Sequence, residues 1–446
     1  MFIKAKNINL RSLPALSESN VLRYITFSIL YVAQGVPAGL LFYTIPAWLA
    51  MNGKSPGEIS GYIAVLGIPW SFKIVNAPFM DRFTYLAMGR RRLWILIGQT
   101  GLIISLIIMA LISNPVDDLL WLMILGFANS FFTVIQDIAV DGMAVDILPS
   151  DQQARANGVM WGSKVVGKSL TVVMGSWMLN VIGFSLTMIF FSFIVVLIIL
   201  IPIILRERPG EKQLPWTEGR ASEAATILQL HSFKSIIKNL VKFFFLPMSF
   251  IMGVAAFSAS IGEGLIDYLL PIFTVQGLGW SNEQYSQIFA VANVISGIAG
   301  MFIGGALTDL LGKIRMMSIY LIGLMILVAG FSYLNNLWLN EEIVVGFIIA
   351  FYTLITFNTI AIFASAMKLC SKRVAATQFT LYMAVSNLGL AVGAWIIGPL
   401  KELFNWEYVI LAYVPFALVM LVMIKFIDFD KHQKRMEELE AKMLEN

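Results

Sequence analysis

Apolar residues run through this chain in long blocks, not in the narrow stripes of a soluble amphipathic helix, and polar residues gather in the gaps between blocks. Blocks of about 18 or more largely apolar residues, enough at about 1.5 Å per residue to cross about 30 Å of hydrocarbon, recur twelve times. They fall near 24–50, 58–80, 93–113, 117–147, 153–180, 184–205, 243–275, 283–309, 316–334, 340–369, 374–400 and 404–427. The pattern predicts an all-α polytopic membrane protein of twelve transmembrane helices.

Composition agrees: 58% of the 446 residues are hydrophobic and 13% are charged, where a soluble domain carries roughly a quarter. The net charge of +4 reflects topology and not nucleic-acid binding, because the basic residues sit in alternate loops. With a cytoplasmic N-terminus, the outward loops carry only Lys54 and Lys401. The inward loops hold Arg82, Arg90, Arg91, Arg92, Arg206, Arg208, Lys212, Lys313, Arg315, Lys372 and Arg373. That bias predicts both termini in the cytoplasm. Lys4, Lys6, Arg11 and Arg23 precede a first block far longer than a signal-peptide core, which predicts an uncleaved first span. The single Cys370 excludes an internal disulfide framework, and His231 and His432 lie in polar segments, so no metal site is expected. The spans supply no nucleophile, base or metal constellation for an enzyme.

The longest polar interruption runs from Arg206 to about Lys242 and divides the blocks into two sets of six. This predicts a first six-helix half over 1–205, a cytoplasmic linker over 206–242 that is partly amphipathic around Ser235 to Phe244, a second half over 243–429, and a solvated helical tail over 430–446. An internal repeat supports the division. The turns PFMDRFTYLAMGRRR after span two and GGALTDLLGKIR after span eight place Asp81 and Asp309 in corresponding positions, each followed by a basic cluster. Two halves with matching inner loops are the pattern of repeat-built secondary transporters.

Charges inside the blocks are the first place to look for chemistry, because ions are costly in hydrocarbon. Span four contains FFTVIQDIAVDGMAVDIL over 131–148. Asp137 and Asp141 lie one turn apart on one face, where two carboxyls can share a proton, and Asp146 lies at the inner end within reach of solvent. Span five returns with Lys164 and Lys168, also one turn apart. A hairpin near Ser150 brings Asp137 and Lys164 to similar depth, and Lys73 in span two is a second candidate partner. A buried ion network that only fixes helix register would use the same residue types. Span seven carries Glu263 and Asp267 in SIGEGLIDYLLP, where Gly262, Gly264 and Pro271 predict a broken helix lining a cavity. With neither histidine in the membrane, proton coupling falls to these carboxylates. Gln34 in span one and Asn358 in span ten are uncharged candidates for solute contact, although such groups also serve as hydrogen bonds between helices. Gly162 to Ser169 spells the phosphate-loop pattern G-x-x-x-x-G-K-S, but it falls inside a predicted helix whose N–H groups are already used. Nucleotide hydrolysis is therefore not expected, while Lys164 and Lys168 can still attract an anion.

Gly305-x-x-x-Asp309-x-x-Gly312-Lys313 resembles the inner-loop signature of the major facilitator superfamily; the first copy has Ala77 in the glycine place and an enlarged loop before Gly89. Further stretches resemble one branch of that superfamily, the AmpG-type muropeptide permeases and acetyl-CoA transporters. They are Gln34-Gly-Val-Pro-Ala-Gly-Leu40, Pro69-Trp-Ser-Phe-Lys73, Ala77-Pro-Phe-Met-Asp81, Gly89-Arg-Arg-Arg92 and, most specifically, Gln136-Asp-Ile-Ala-Val-Asp-Gly142. The likeness is strongest from about Leu30 to Lys168. It implies the major facilitator fold, with spans 1, 4, 7 and 10 around a central cavity that opens to each side in turn. It adds Gln136 to the residues that would meet solute or proton. It also implies that Asp81, Arg82, Arg90, Arg91, Gly305, Asp309 and Lys313 hold the cytoplasmic helix ends together in one state. The expected cargo is a large polar or anionic solute such as an anhydro-muropeptide, imported by a monomer with the proton gradient and no cofactor. Acetyl-CoA, another organic anion or a siderophore-like solute remain alternatives, as does a non-transporting membrane sensor. Predicted outer loops without an N-x-[ST] sequon suit a bacterial inner membrane.

Overall fold

The computed structural model describes residues 14–148, 153–227, 244–370 and 375–444, so the part of the linker expected to be amphipathic, 235–243, lies outside the described residues. Helices fill all twelve blocks. They are α1 (Asn20–Met51), α2 (Pro56–Ser71 and then Lys73–Arg82), α3 (Arg92–Ala110), α4 (Leu119–Ile147), α5 (Gln153–Val181) and α6 (Gly183–Ile204). After the linker come α7 (Pro247–Gly277), α8 (Asn282–Thr308), α9 (Lys313–Tyr333), α10 (Glu341–Lys368), α11 (Ala375–Leu403) and α12 (Trp406–Ile424), with α13 (Phe429–Leu444) as the tail. Ten of these are long and apolar enough to cross a bilayer, and α2 makes an eleventh if its two segments form one span. The twelfth, α5, is the more polar one that carries Lys164 and Lys168. Large apolar side chains stay exposed on outer flanks, as with Leu186, Ile189, Phe193 and Leu197 of α6, which is how a surface meets lipid. The chain is a multi-pass integral membrane protein.

Packing repeats with a shift of six helices. α1 lies along α5 as α7 lies along α11, and α3 packs on α4 and α6 as α9 packs on α10 and α12. Across the middle, α2 meets α11 as α8 meets α5. The first pair depends on glycine: a Cβ at Gly35 would come within 2.7 Å of Lys164 O, and one at Gly167 within 2.7 Å of Val32 O. In α7, Gly264 serves the same purpose against the Leu390 backbone of α11, and Gly262 lies against the Tyr413 ring. The broken helix expected at Gly262, Gly264 and Pro271 is therefore not found. Helix continues through Ile272, because these glycines relieve crowding and do not interrupt the ladder, and a π-turn follows at Phe273–Gly277. The break lies in α2, where the segments on either side of Phe72 meet at 45°. Pro69 and Pro78 each remove a backbone donor there.

One end of the bundle is closed across the two halves. Gln276 Nε2 donates to Ala50 O at 3.1 Å and Lys54 O at 2.6 Å, Ser176 and Ser286 Oγ share a hydrogen bond at 2.5 Å, and Asn180 Nδ2 donates to Asn282 Oδ1 at 2.9 Å. Beside them Gly57 and Gly398 bring α2 and α11 together, since a Cβ at Gly398 would lie 2.7 Å from Gly57 Cα. Further hydrogen bonds between the first six spans and the last six lie at this end or no deeper than Trp70, whose carbonyl accepts from Asn387 Nδ2 at 3.4 Å.

At the opposite end a charge network ties the first half together. Arg90 bonds Asp146 at 3.0 Å and Asp81 at 3.3 Å, and Arg91 bonds Asp81 at 2.6 Å and Asp146 at 3.1 Å. Asp146 is thus a buried partner of two arginines, not the solvent-reached carboxylate its position suggested, because the loop before α3 folds over the end of α4. Gly89, at φ +96°, turns the chain so that the N–H groups of Arg90, Arg91 and Arg92 all donate to the buried Glu207 carboxylate, at 3.0, 2.8 and 2.6 Å. The start of the linker is pinned here as well: Lys212 N donates to Ala87 O at 2.7 Å, and Arg92 Nη1 donates to Lys212 O at 2.9 Å. Nor is the tail wholly solvated. His432 is buried with its ring nitrogen 2.9 Å from Leu369 O, and Lys368 Nζ sits 4.6 Å over the Phe429 ring.

Glu211 accepts from Arg208 N at 3.0 Å and Ser222 Oγ at 2.8 Å. Burial, and then the neighbouring Glu207 carboxylate, push its carboxyl up to about 7. A carboxyl raised in the folded chain contributes stability that is complete below its unfolded value of 4.5 and is lost as pH rises through about 7. Between pH 5 and pH 8, Glu211→Gln should therefore gain roughly 1–3 kcal/mol on the parent chain. Thermal unfolding in detergent at the two pH values measures this, and an unchanged gap between the two proteins would exclude it.

Candidate functional site

The break in α2 makes Lys73 the first residue of the second segment and turns it inward. Its Nζ pairs directly with the Asp137 carboxylate of α4, and Lys164 Nζ of α5 lies 3.6 Å from the other oxygen. Asp137 therefore takes both candidate partners at once. The three side chains are largely buried, and Trp70 stands between the lysines with its ring 5.0 Å from Lys73 Nζ and 5.2 Å from Lys164 Nζ. Trp161 covers Lys164 from another side at 5.1 Å. Trp70 is itself held, because its Nε1 donates to Ser130 Oγ at 3.0 Å and Ser130 donates to Leu66 O at 2.6 Å. One turn along α4, Asp141 accepts a hydrogen bond from Tyr31 of α1. Two lysines thus share Asp137 against aromatic faces, with the Asp141 carboxyl one turn away.

Lys168 belongs to a second cluster. Its Nζ lies 5.2 Å from the Tyr43 ring and 5.1 Å from the Phe289 ring, and it makes no ion pair among the described residues. Asp267 accepts from Tyr43 Oη at 2.8 Å and Tyr352 Oη at 2.5 Å. Glu263, one turn nearer the Arg90 end, has no hydrogen bond or ion pair among the described residues.

The remaining candidates lie apart from both clusters. Gln136 Nε2 donates to Leu30 O at 3.1 Å, so that side chain braces α4 against α1. Gln34 and Asn358 are fully buried with their amide atoms unpartnered, and neither touches the charged groups. Of the inner-loop residues, Asp81, Arg90 and Arg91 meet, whereas Arg82 is exposed and joins no ion pair among the described residues. Lys313 opens α9 after Gly312, whose φ of +93° matches that of Gly89 in the first copy. The side chains of Gly305 and Asp309 lie outside the described ones. The phosphate-loop pattern lies within α5, where Gly167 is a packing residue.

Tyr31, Trp70, Trp161, Tyr43 and Tyr352 were not singled out from sequence, because aromatics in apolar spans look like packing surface. The available signal is chemical: a tyrosine hydroxyl or indole N–H buried in hydrocarbon needs a partner, which Asp141 and Asp267 supply to the three tyrosines and Ser130 to Trp70.

Residues 27–394 match the family described as the Major Facilitator Superfamily. The anhydromuropeptide permease of Escherichia coli (strain K12) is 24% identical over 400 residues, which cover 88% of this chain and 78% of that protein. The putative transporter AmpG 4 of Rickettsia conorii is 24% identical over 422 residues, covering 90% of this chain and 95% of the relative. Among solved structures, the nucleoside transporter NupG superposes with a TM-score of 0.69 at 14% identity, over 92% of this chain and 99% of that one. A partially occluded inward-open form of the xylose transporter XylE from E. coli gives 0.65 at 11% identity, over 92% and 99%. With its repeat-related halves, its matched inner loops and a family match that spans most of its length, this chain belongs to the Major Facilitator Superfamily.

Proposed function

We propose that this chain is a proton-linked secondary transporter that imports a large polar or anionic solute, an anhydro-muropeptide first among them, by alternating access. The observation that carries the reading is the Lys73–Asp137–Lys164 triad, two lysines on one carboxylate deep in the membrane and faced by Trp70 and Trp161. A solute carboxylate would compete with Asp137 for the lysines, and a sugar ring would lie on the indoles. The relatives named for muropeptide transport supply the cargo class. In this reading the Arg90 end faces the cytoplasm of a bacterial inner membrane, both termini lie on that side, and the closed Gln276 end faces outward. A single chain then acts as a carrier and performs no enzymatic step.

Proton linkage is assigned to the carboxyls that meet the triad or face Lys168. Asp141, tied to Tyr31, is one step from Asp137, and Glu263, which makes no hydrogen bond or ion pair among the described residues, lies near Lys168. Either can take up or release a proton as the lysines gain or lose an anionic solute.

Asp137→Asn removes the carboxylate that pairs with both lysines. At matched protein levels in proteoliposomes, uptake should fall by at least about tenfold, in keeping with the cost of breaking a buried pair. Full activity would remove the triad from the transport mechanism. Asp141→Asn should keep downhill exchange but lose accumulation driven by an imposed pH gradient; a preserved gradient response would transfer coupling to Glu263.

Cargo can be read without transport. At about 100 times its Kd, a true ligand raises the stability of the native carrier by about 2.7 kcal/mol. An anhydro-muropeptide is expected to raise the melting temperature of the detergent-purified chain, with acyl-CoAs and siderophores giving no shift. The reverse order would identify another organic anion as cargo.

A further inference from the structure

Asp267 stands apart from the triad, and its surroundings suit a different task from solute contact. Through Tyr43 Oη at 2.8 Å and Tyr352 Oη at 2.5 Å, one side chain of α7 ties α1 of the first half to α10 of the second. Tyr43 lies in a π-turn of α1 at Leu40–Thr44, just before Pro46, which has no N–H to offer Phe42 O. Its ring packs 4.3 Å from that of Phe289 on α8, and Phe289 meets Tyr352 edge-on at 5.4 Å. Lys168 of α5 lies against the same two rings, and Glu263 lies one turn of α7 toward the Arg90 end. Five spans from both halves thus converge on one carboxylate.

Hydrogen bonds between the halves lie between this cluster and the Gln276 end, and the triad lies on its other side. Both hydroxyls donate to the same group, so it must offer acceptor lone pairs on two oxygens, as a carboxylate does. We propose that Asp267 is a positioning residue that closes the outer gate. The Tyr43–Asp267–Tyr352 tripod holds α1 against α7 and α10 and must part before solute can pass between the Gln276 end and the triad. This rests on the reading of the chain as an alternating-access carrier, and not on which solute it carries.

The test uses the full chain with Cys370→Ser and Ser60→Cys. Ser60 is buried on α2, with its Oγ 3.0 Å from where a Cβ on Gly398 of α11 would lie, so a thiol there reports separation of the outer ends. A membrane-impermeant maleimide is added without solute, so the result can be read even if the cargo assignment fails. Asp267→Asn and, independently, the Tyr43→Phe/Tyr352→Phe pair should each raise the labelling rate at least about fivefold, because the lost hydrogen bonds no longer favour the closed form. The paired variant keeps both rings and removes only the hydroxyls. An unchanged rate in that variant would overturn the proposal. So would an equal rise at Ser249→Cys, buried at the opposite end of α7, since that would mark general loosening and not the opening of a gate.

Discussion

The structure is arranged around the cost of holding ions in hydrocarbon. Asp137, Lys73 and Lys164 would each be expensive alone, and their meeting lowers that cost, with the Asp141 carboxyl one turn away. The faces of Trp70 and Trp161 take the lysines as well. Backbone geometry follows from the same requirement. α2 is broken so that Lys73 can approach from one side, and α1 and α5 touch through Gly35 and Gly167, which fixes the depth of Lys164 and Lys168.

The two halves share packing but not chemistry. α1 with α5 and α7 with α11 are the same glycine-mediated pair, six helices apart. In the first half that pair presents lysines toward a carboxylate of α4. In the second it presents Glu263 and Asp267, whose neighbours are hydroxyls, aromatic rings and the lysine of the opposite half. A duplicated scaffold has thus kept its helix contacts while the charges on its cavity walls diverged, as expected where packing and solute contact use different faces of one helix.

What the sequence disclosed followed from periodicity and charge. Twelve apolar blocks gave the spans, and the i, i+4 spacing of Asp137 and Asp141 with a hairpin near Ser150 put Asp137 level with Lys164. Hidden features depended on partners distant in the chain. Glu207 looked like one more charge in a polar linker, yet it gathers three N–H groups from a loop more than a hundred residues earlier. Asp146 looked solvent-reached because nothing in its own helix shows that Arg90 and Arg91 fold over it. Glycine misled in a third way. Gly262 and Gly264 read as helix breakers, but a glycine that meets a neighbouring backbone stabilises the pair of helices it joins, and composition cannot distinguish the two cases.

Exchange between states must respect one asymmetry. The Arg90 end is tied tightly within the first half, and the linker is pinned to it as far as Glu211 and Ser222, so this half moves with its own strap attached. Hydrogen bonds between the halves are found instead at the Gln276 end, where they are scattered: an amide, a pair of serines, an asparagine contact and the Tyr43 hydroxyl on Asp267. Each is a single hydrogen bond that water can replace on opening, so a scattered set can part step by step. A buried charge network within one half and scattered single hydrogen bonds between halves suit a rigid body that rocks against its partner.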